Sequence, residues 1–417
     1  MTKNNIIPFL IFISFIIGFV LGEDTLGGGK HDYLYHEKYF LKFFQDFKET
    51  FHNFGTDLVN ENVRNSPVFY IIFSQFLKIG ISIENLKFVN LIIIFPLIFF
   101  FYKCIEIKYP KTNNEIKIFL ISILFLSPTI RTLLIWPYPF LWGLTFFIIS
   151  IFFYLRFESE ENFTKKFRLS FYNTSLVAIA AYFTPNFAVF SLFFFYKFYL
   201  TFKNSKQTFF LILLNLILAI PAVLFLISKD FYLFYSDGVG INSLTRFNPA
   251  NKIIIILNFI FLFFLPIIPK LSDLKVYLTN FKKSNLKIFF ITVLILINIY
   301  FFNFLDNAGG GLFYHVSNLY FDNSIIVFFV FIVTVFFLYF IGASNLNNLL
   351  IFFLLIIFNT QFSIYYKYFD PLLVFVFLFL FKFQQRNFIN LERVSKRYLF
   401  FYLIFLCLNF SKIYVNY

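Results

Sequence analysis

Residues 67–82, PVFYIIFSQFLKIGIS, decide how the rest of the chain threads. The stretch is apolar enough to cross a bilayer, yet Lys78 interrupts it and it holds only sixteen residues, whereas a spanning helix needs about 20. Counting it as a span would invert every later loop. The distribution of Lys and Arg resolves the choice, because cytoplasmic loops of membrane proteins carry an excess of basic residues. If 67–82 lies against the outer face, Lys3 and loops 103–117, 156–168, 197–206, 269–287 and 382–397 are cytoplasmic. These hold 22 of the 35 basic residues but only seven of the 21 acids. The opposite choice puts basic runs such as KKSNLK (282–287) and ERVSKR (392–397) outside. The sequence therefore predicts a cytoplasmic N-terminus, an outer C-terminus and an interfacial helix at 67–82.

That argument presupposes a membrane protein, and the composition supplies one. Of 417 residues, 60% are hydrophobic and only 13% charged, against roughly a quarter charged in soluble domains. The expected architecture is an all-α integral membrane protein of about 13 transmembrane helices, a single polytopic domain over 1–417 with no internal repeat. Its expected spans are 6–22, 88–103, 116–128, 139–155, 169–184, 186–199, 207–227, 252–268, 288–304, 324–342, 349–361, 371–382 and 397–411. The first segment begins with Lys3 and lacks a small-x-small cleavage site, so it reads as a retained helix rather than a signal peptide. Phe is so abundant, at 76 residues, that most of these rings simply face lipid. Cys104 and Cys407 fall in separate segments without a ligand or redox spacing, which speaks against a disulfide.

With this topology all four histidines (His31, His36, His52, His315) and two thirds of the acids fall outside. The first outer loop, 23–87, is the largest polar stretch. GGGK (27–30) reads as a flexible turn and Asp32 as the N-cap of an amphipathic helix suited to the membrane interface. Its apolar positions are Tyr33, Tyr39, Phe40, Phe43, Phe44, Phe47 and Phe51. An acid pinned at the mouth of a half-dry cavity suits a general base, and equally suits a plain helix cap. Glu23, Asp24, His31, His36 and Glu37 surround it, and such a cluster also permits a divalent metal, although no strict ligand spacing is met.

Arg64 precedes Ser66-Pro67, a cap followed by a first-turn proline, and reads either as an anchor or as a contact for an anionic headgroup. Arg131 is the only charge in LSPTIRTLLIWPYPFLWG (126–143); it either snorkels or binds phosphate. Trp136 and Trp142 in the same stretch read as ordinary interfacial belt residues. Outer loops 228–249 and 305–323 carry Arg246 and His315 beside glycines, as lids and sugar-binding rims do. GGGLFYH (309–315) is no phosphate loop, since it lacks the Lys-Ser/Thr ending. Lys367 and Asp370 lie in QFSIYYKYFDPLL (361–373), where a charge is costly and usually partnered.

Together, HDYLYH, NSPVFY, the LSP…R hairpin and YKYFDP resemble the GT-C superfamily of polytopic glycosyltransferases, of the protein mannosyltransferase and aminoarabinose transferase type. Two departures stand out: Asp32 is followed by Tyr33 rather than a second acid, and the family's late arginine corresponds to Lys367. The resemblance implies transfer of a sugar from a polyprenyl-phosphate donor to a glycan, lipid or protein acceptor at the periplasmic face of a bacterial inner membrane. Asp32 would be the catalytic base. Arg64, Arg131, Arg246, His315 and Lys367 would face the donor or its phosphate, with Asp24, His31, His36 and Glu37 as secondary members of the site. It implies no cofactor beyond the open question of a metal, and the partners are lipid and sugar, with no nucleic acid. Two other classes fit the composition: a flippase for lipid-linked saccharides, and an O-antigen polymerase or ligase. The near absence of charge inside the spans argues against an ion-coupled transporter, and the early position of the largest loop argues against a polymerase.

Overall fold

Proline and cap residues set where many of the helices begin. Ser66 accepts from the Val68 amide ahead of Pro67, Ser127 from the Ile130 amide ahead of Pro128, and Asn248 from the amides of Ala250 and Asn251 ahead of Pro249. In each case a side-chain oxygen takes up an orphan N–H while proline supplies a helical φ without a donor of its own. A computed structural model describes residues 3–26, 28–54, 65–203, 205–229, 248–268, 285–305, 309–341, 345–359, 363–383 and 389–415. Arg64 and Arg246 lie outside the described residues.

The described residues form helices and no strand. In chain order they are α1 (Lys3–Leu21), α2 (Gly29–Gln45), α3 (Phe47–Asn53), α4 (Pro67–Lys78), α5 (Leu86–Leu91), α6 (Ile94–Lys108), α7 (Asn114–Ile123), α8 (Pro128–Ile135), α9 (Pro139–Ser159), α10 (Phe163–Phe183), α11 (Phe190–Phe202) and α12 (Lys206–Ser228). Then follow α13 (Pro249–Phe264), α14 (Asn285–Tyr300), α15 (Gly311–Phe321), α16 (Ile325–Ile341), α17 (Leu346–Phe358), α18 (Leu372–Phe375) and α19 (Leu391–Val415). They divide into two compact units, Met1–Ser236 with Tyr398–Tyr417, and Asp237–Arg397. The sequence shows no boundary near 237, because apolar helices continue on both sides.

Among the described residues, four helical segments are long and apolar enough to cross a bilayer: Ile83–Lys108, Pro139–Ser159, Lys206–Ser228 and Pro249–Ile267. A fifth arises if Asn114–Leu126 and Pro128–Ile135, which meet at 68°, count as one broken span. Further apolar helices are shorter: Ile6–Leu21, Ile288–Tyr300, Ile325–Tyr339 and Leu346–Phe358. The protein is thus all-α with several apolar helices, compatible with a helical membrane protein.

Two segments differ from the sequence expectation and a third follows it. The stretch after 126 is not a simple connection between two spans: the chain bends at Ser127-Pro128 and continues as α8, every residue of which is buried. The segment expected at 371–382 is helical only from Leu372 to Leu380, with every one of those side chains buried. Nine residues rise about 14 Å, half of a hydrocarbon core, so this piece is interior packing of its unit. The third, α4, has twelve residues and rises about 18 Å, short of a span as the sequence predicts.

Candidate functional site

The first loop folds back onto its own unit as a helical platform. Along α2, Tyr33, His36, Tyr39, Phe40 and Phe43 are buried, and they pack against Phe69, Tyr70 and Phe73 of α4, each fully buried. Phe40 stacks on Phe73 at 5.0 Å between ring centroids. The seven apolar residues assigned to lipid are therefore split. Tyr33, Tyr39, Phe40 and Phe43 face protein, while Phe44, Phe47 and Phe51 are exposed together with Leu34 and Leu41. The helix stops at Asp46, whose carboxylate accepts from the Glu49 amide and starts α3. Lys229, at the end of α12, donates to the carbonyls of Phe51 and His52, satisfying the free end of α3; burial holds its ammonium pKa below the usual lysine range.

Asp32 is not the cap. It sits in the first turn of α2, with its amide bonded to the Gly28 carbonyl at 2.9 Å and its side chain half-buried. The cap is Asp24, whose two oxygens accept from the amides of Gly29 and Lys30, each at 3.0 Å. Carboxylate in that position also complements the helix dipole. Nor is GGGK merely a flexible turn. Gly29 begins the helix in contact with α8: a Cβ there would collide with Thr132 Cγ2 and stand 3.1 Å from Asp24 Oδ1.

Below the platform, Arg131 reaches back to the end of α1. Its Nε donates to Glu23 Oε1 at 2.6 Å and its Nη2 to Glu23 Oε2, a bidentate pair with both side chains less than a tenth exposed. Nη2 also donates to the Ser14 carbonyl at 2.9 Å, and Nη1 to Ser14 Oγ at 3.1 Å and the Phe125 carbonyl at 3.2 Å. A guanidinium has five N–H groups, and all five are committed to the chain itself. Arg131 in this arrangement neither snorkels nor offers a donor to phosphate; it anchors loop one.

Trp136 Nε1 donates to the Glu23 carbonyl at 3.1 Å, and Thr25 and Thr132 share a hydroxyl contact at 3.0 Å while Thr25 donates to the Pro128 carbonyl. Trp142 Nε1 donates to Asn90 Oδ1 at 2.9 Å, and the Asn90 amide donates to the carbonyls of Leu133 and Leu134. Both tryptophans thus act as hydrogen-bonded struts rather than as a belt.

His31 is exposed, while His36 is 2% exposed with Nδ1 2.9 Å from the Tyr70 hydroxyl and its ring 4.9 Å from that of Tyr138. His36 is thereby a packed part of the platform. Glu37 is half-buried; burial first, then the nearby charge of Glu84, raises its carboxyl pKa. Burial also raises the Tyr33 phenol, with Glu37 and Glu84 adding to the effect, while its hydroxyl donates to the Ile83 carbonyl at 3.3 Å. Among the described residues no three His, Cys, Asp or Glu side chains converge as metal ligands. Both cysteines are free thiols.

The remaining predicted residues belong to the second unit. His315 is half-buried on α15, and Lys367 is half-buried with its ammonium 5.5 Å and 5.7 Å from the rings of Tyr365 and Tyr368. The Gly310 amide donates to the Ile364 carbonyl at 3.1 Å, which ties the two stretches together. Gly310 and Gly311 have φ of +92° and +75°, and a Cβ on Gly311 would strike the Phe259 ring. GGGLFYH is thus the glycine entry and first turn of α15, with Gly311 pressed against Phe259 of α13. Asp370 is completely buried, as is Lys252 on α13 at 2% exposure; Lys252 escapes a sequence reading because it hides inside an expected span.

No protein-family profile, curated protein or solved structure matches the chain.

Proposed function

We propose that the chain is a polytopic membrane glycosyltransferase that moves a sugar from a polyprenyl-phosphate donor to an acceptor hydroxyl at the outer face of a bacterial inner membrane. The observation that carries this reading is the platform itself. A half-buried carboxylate, Asp32, stands one turn into a helix whose start is fixed by Asp24 and by contact of Gly29 with α8. Catalytic groups work best on elements held this firmly by neighbouring hydrogen bonds and packing.

Asp32 takes the proton of the acceptor hydroxyl as its oxygen bonds to the anomeric carbon. The bond to the donor phosphate breaks with its electron pair leaving on the polyprenyl phosphate, and the anomeric centre inverts. The resemblance offers Arg64, Arg246, His315 and Lys367 for contact with the leaving phosphate, where a lysine acts as a point charge. The role of Arg131 is positional, since its donors are spent on Glu23, Ser14 and Phe125. His36 and Asp24 likewise support the platform rather than touch substrate. The proposed topology has about 13 spans, with the platform and His315 outside.

Asp32→Asn preserves shape and removes the base. In cells whose only copy carries this substitution, a surface glycan should lose one sugar while protein level and membrane insertion stay normal. Unchanged glycans from such cells would sink the proposal.

A further inference from the structure

Where α6 meets α7, two lysines converge on one tyrosine. Lys103 on α6 holds its ammonium 5.6 Å from the Tyr102 ring centroid, and Lys117 on α7 holds its own 5.9 Å from the same centroid. Their surroundings are unequal. Lys103 is partly exposed and pairs with Glu106 at 2.7 Å, a carboxylate that also accepts from the Tyr102 hydroxyl. Lys117 is only 6% exposed. Its ammonium donates to Asn114 Oδ1 at 3.2 Å, and the charge of Glu106 acts on it from further off.

An ammonium has three N–H groups. The amide oxygen of Asn114 fills one, and being neutral it leaves the charge to Glu106, which Lys103 already pairs at 2.7 Å. A buried cation is stable when an anion meets it with good geometry and is costly otherwise. Around Tyr102 two cations share one carboxylate, so among the described residues this cluster carries an excess positive charge with unfilled donors. It lies at the end of Ile83–Lys108, a segment long and apolar enough to span a bilayer, with Lys108 and exposed Lys111 just beyond it. Basic pockets between helices at that depth meet the headgroup layer.

We infer that Lys103, Lys117 and Tyr102 bind the phosphodiester of an anionic phospholipid, at a site separate from and independent of the transferase reading. Lys117 donates its two remaining N–H groups to phosphate oxygens, and Lys103 divides its charge between the phosphate and Glu106. Glu106 limits affinity by repelling the same anion. The fit is to phosphatidylglycerol rather than to a zwitterionic lipid, because only a net negative headgroup neutralises the cluster.

The test uses the full chain in nanodiscs of phosphatidylcholine alone or of phosphatidylcholine with phosphatidylglycerol, followed by native mass spectrometry after gentle release. Wild type should retain phosphatidylglycerol. Lys117→Gln and Lys103→Gln should each retain about fivefold less, Glu106→Gln should retain more, and Lys111→Gln should behave as wild type. Inorganic phosphate added to phosphatidylcholine discs should give no comparable adduct. Equal retention by wild type and Lys117→Gln would overturn the inference, and so would an inorganic phosphate adduct as strong as the lipid's, which would assign the site to a free anion. Should Lys117→Gln fail to fold by circular dichroism, the opposite shifts expected of Lys103→Gln and Glu106→Gln decide the matter.

Discussion

Replacing Arg131 by Met should be among the most damaging single changes in the first unit. The substitution keeps an unbranched apolar stem but deletes every donor to Glu23, Ser14 and Phe125. Glu23 is then left as a carboxylate whose side chain is less than a tenth exposed. Breaking a buried pair from one side costs about 3–5 kcal/mol, because the surviving charge has no compensation. For a unit of this size that corresponds to a fall of roughly 10 °C in the unfolding midpoint.

Removing both charges, as Glu23→Leu with Arg131→Met, leaves no stranded ion. Buried pairs replaced by apolar groups are often close to neutral, so the double variant should regain about 2 kcal/mol or more over the sum of the two single losses. Arg131→Lys should fall between, since an ammonium cannot reproduce the bidentate fork. Thermal unfolding of wild type, Glu23→Leu, Arg131→Met and the double variant in one detergent, followed by tryptophan fluorescence, measures the cycle directly. Trp136 reports locally because its indole donates to the Glu23 carbonyl. Additive losses, or an Arg131→Met protein within about 1 kcal/mol of wild type, would refute the reasoning.

Other consequences are simpler. Folding raises the Glu37 pKa through burial and Glu84, so its stabilising contribution is complete below the ordinary glutamate range and lost as pH rises through the raised value. Glu37→Gln should therefore raise the midpoint at neutral pH by an amount equivalent to roughly 0.3–0.5 kcal/mol and make no difference near pH 3; a variant equal to wild type at both pH values would contradict this. Asn90 is fully buried and joins Trp142 to the carbonyls of Leu133 and Leu134. Asn90→Ala should cost about 2–4 kcal/mol in chemical unfolding, as three polar groups lose their partner. A cysteine at exposed Asn85, in a chain otherwise free of cysteine, should react with an impermeant maleimide from outside the cell; reaction only from the cytoplasm would mean that 67–82 crosses the membrane.

Local signals were legible in the sequence and distant pairings were not. Ser66-Pro67 announces the start of α4, and the apolar runs locate the helices to within a few residues, because caps and hydrophobic period act over one or two turns. The choice of cap at α2 failed for a related reason. Asp32 sits next to the apolar run, but Asp24, five residues before Gly29, accepts from the amides at the helix start instead. The fate of Arg131 was out of reach altogether: its partner Glu23 lies 108 positions away, and no period or spacing encodes that meeting. The division of the α2 rings between protein and exterior was hidden likewise, since both faces are aromatic.

The separation of Glu23 from Arg131 also dictates an order of events during biosynthesis. When α1 and loop one leave the ribosome, the residue that anchors them does not yet exist, and Glu23 must wait without its partner while some hundred residues are added. Only after the bend at Ser127-Pro128 has formed can the early loop be drawn down, so nascent chains ending before residue 131 should leave 23–54 open to protease, and slightly longer ones should not.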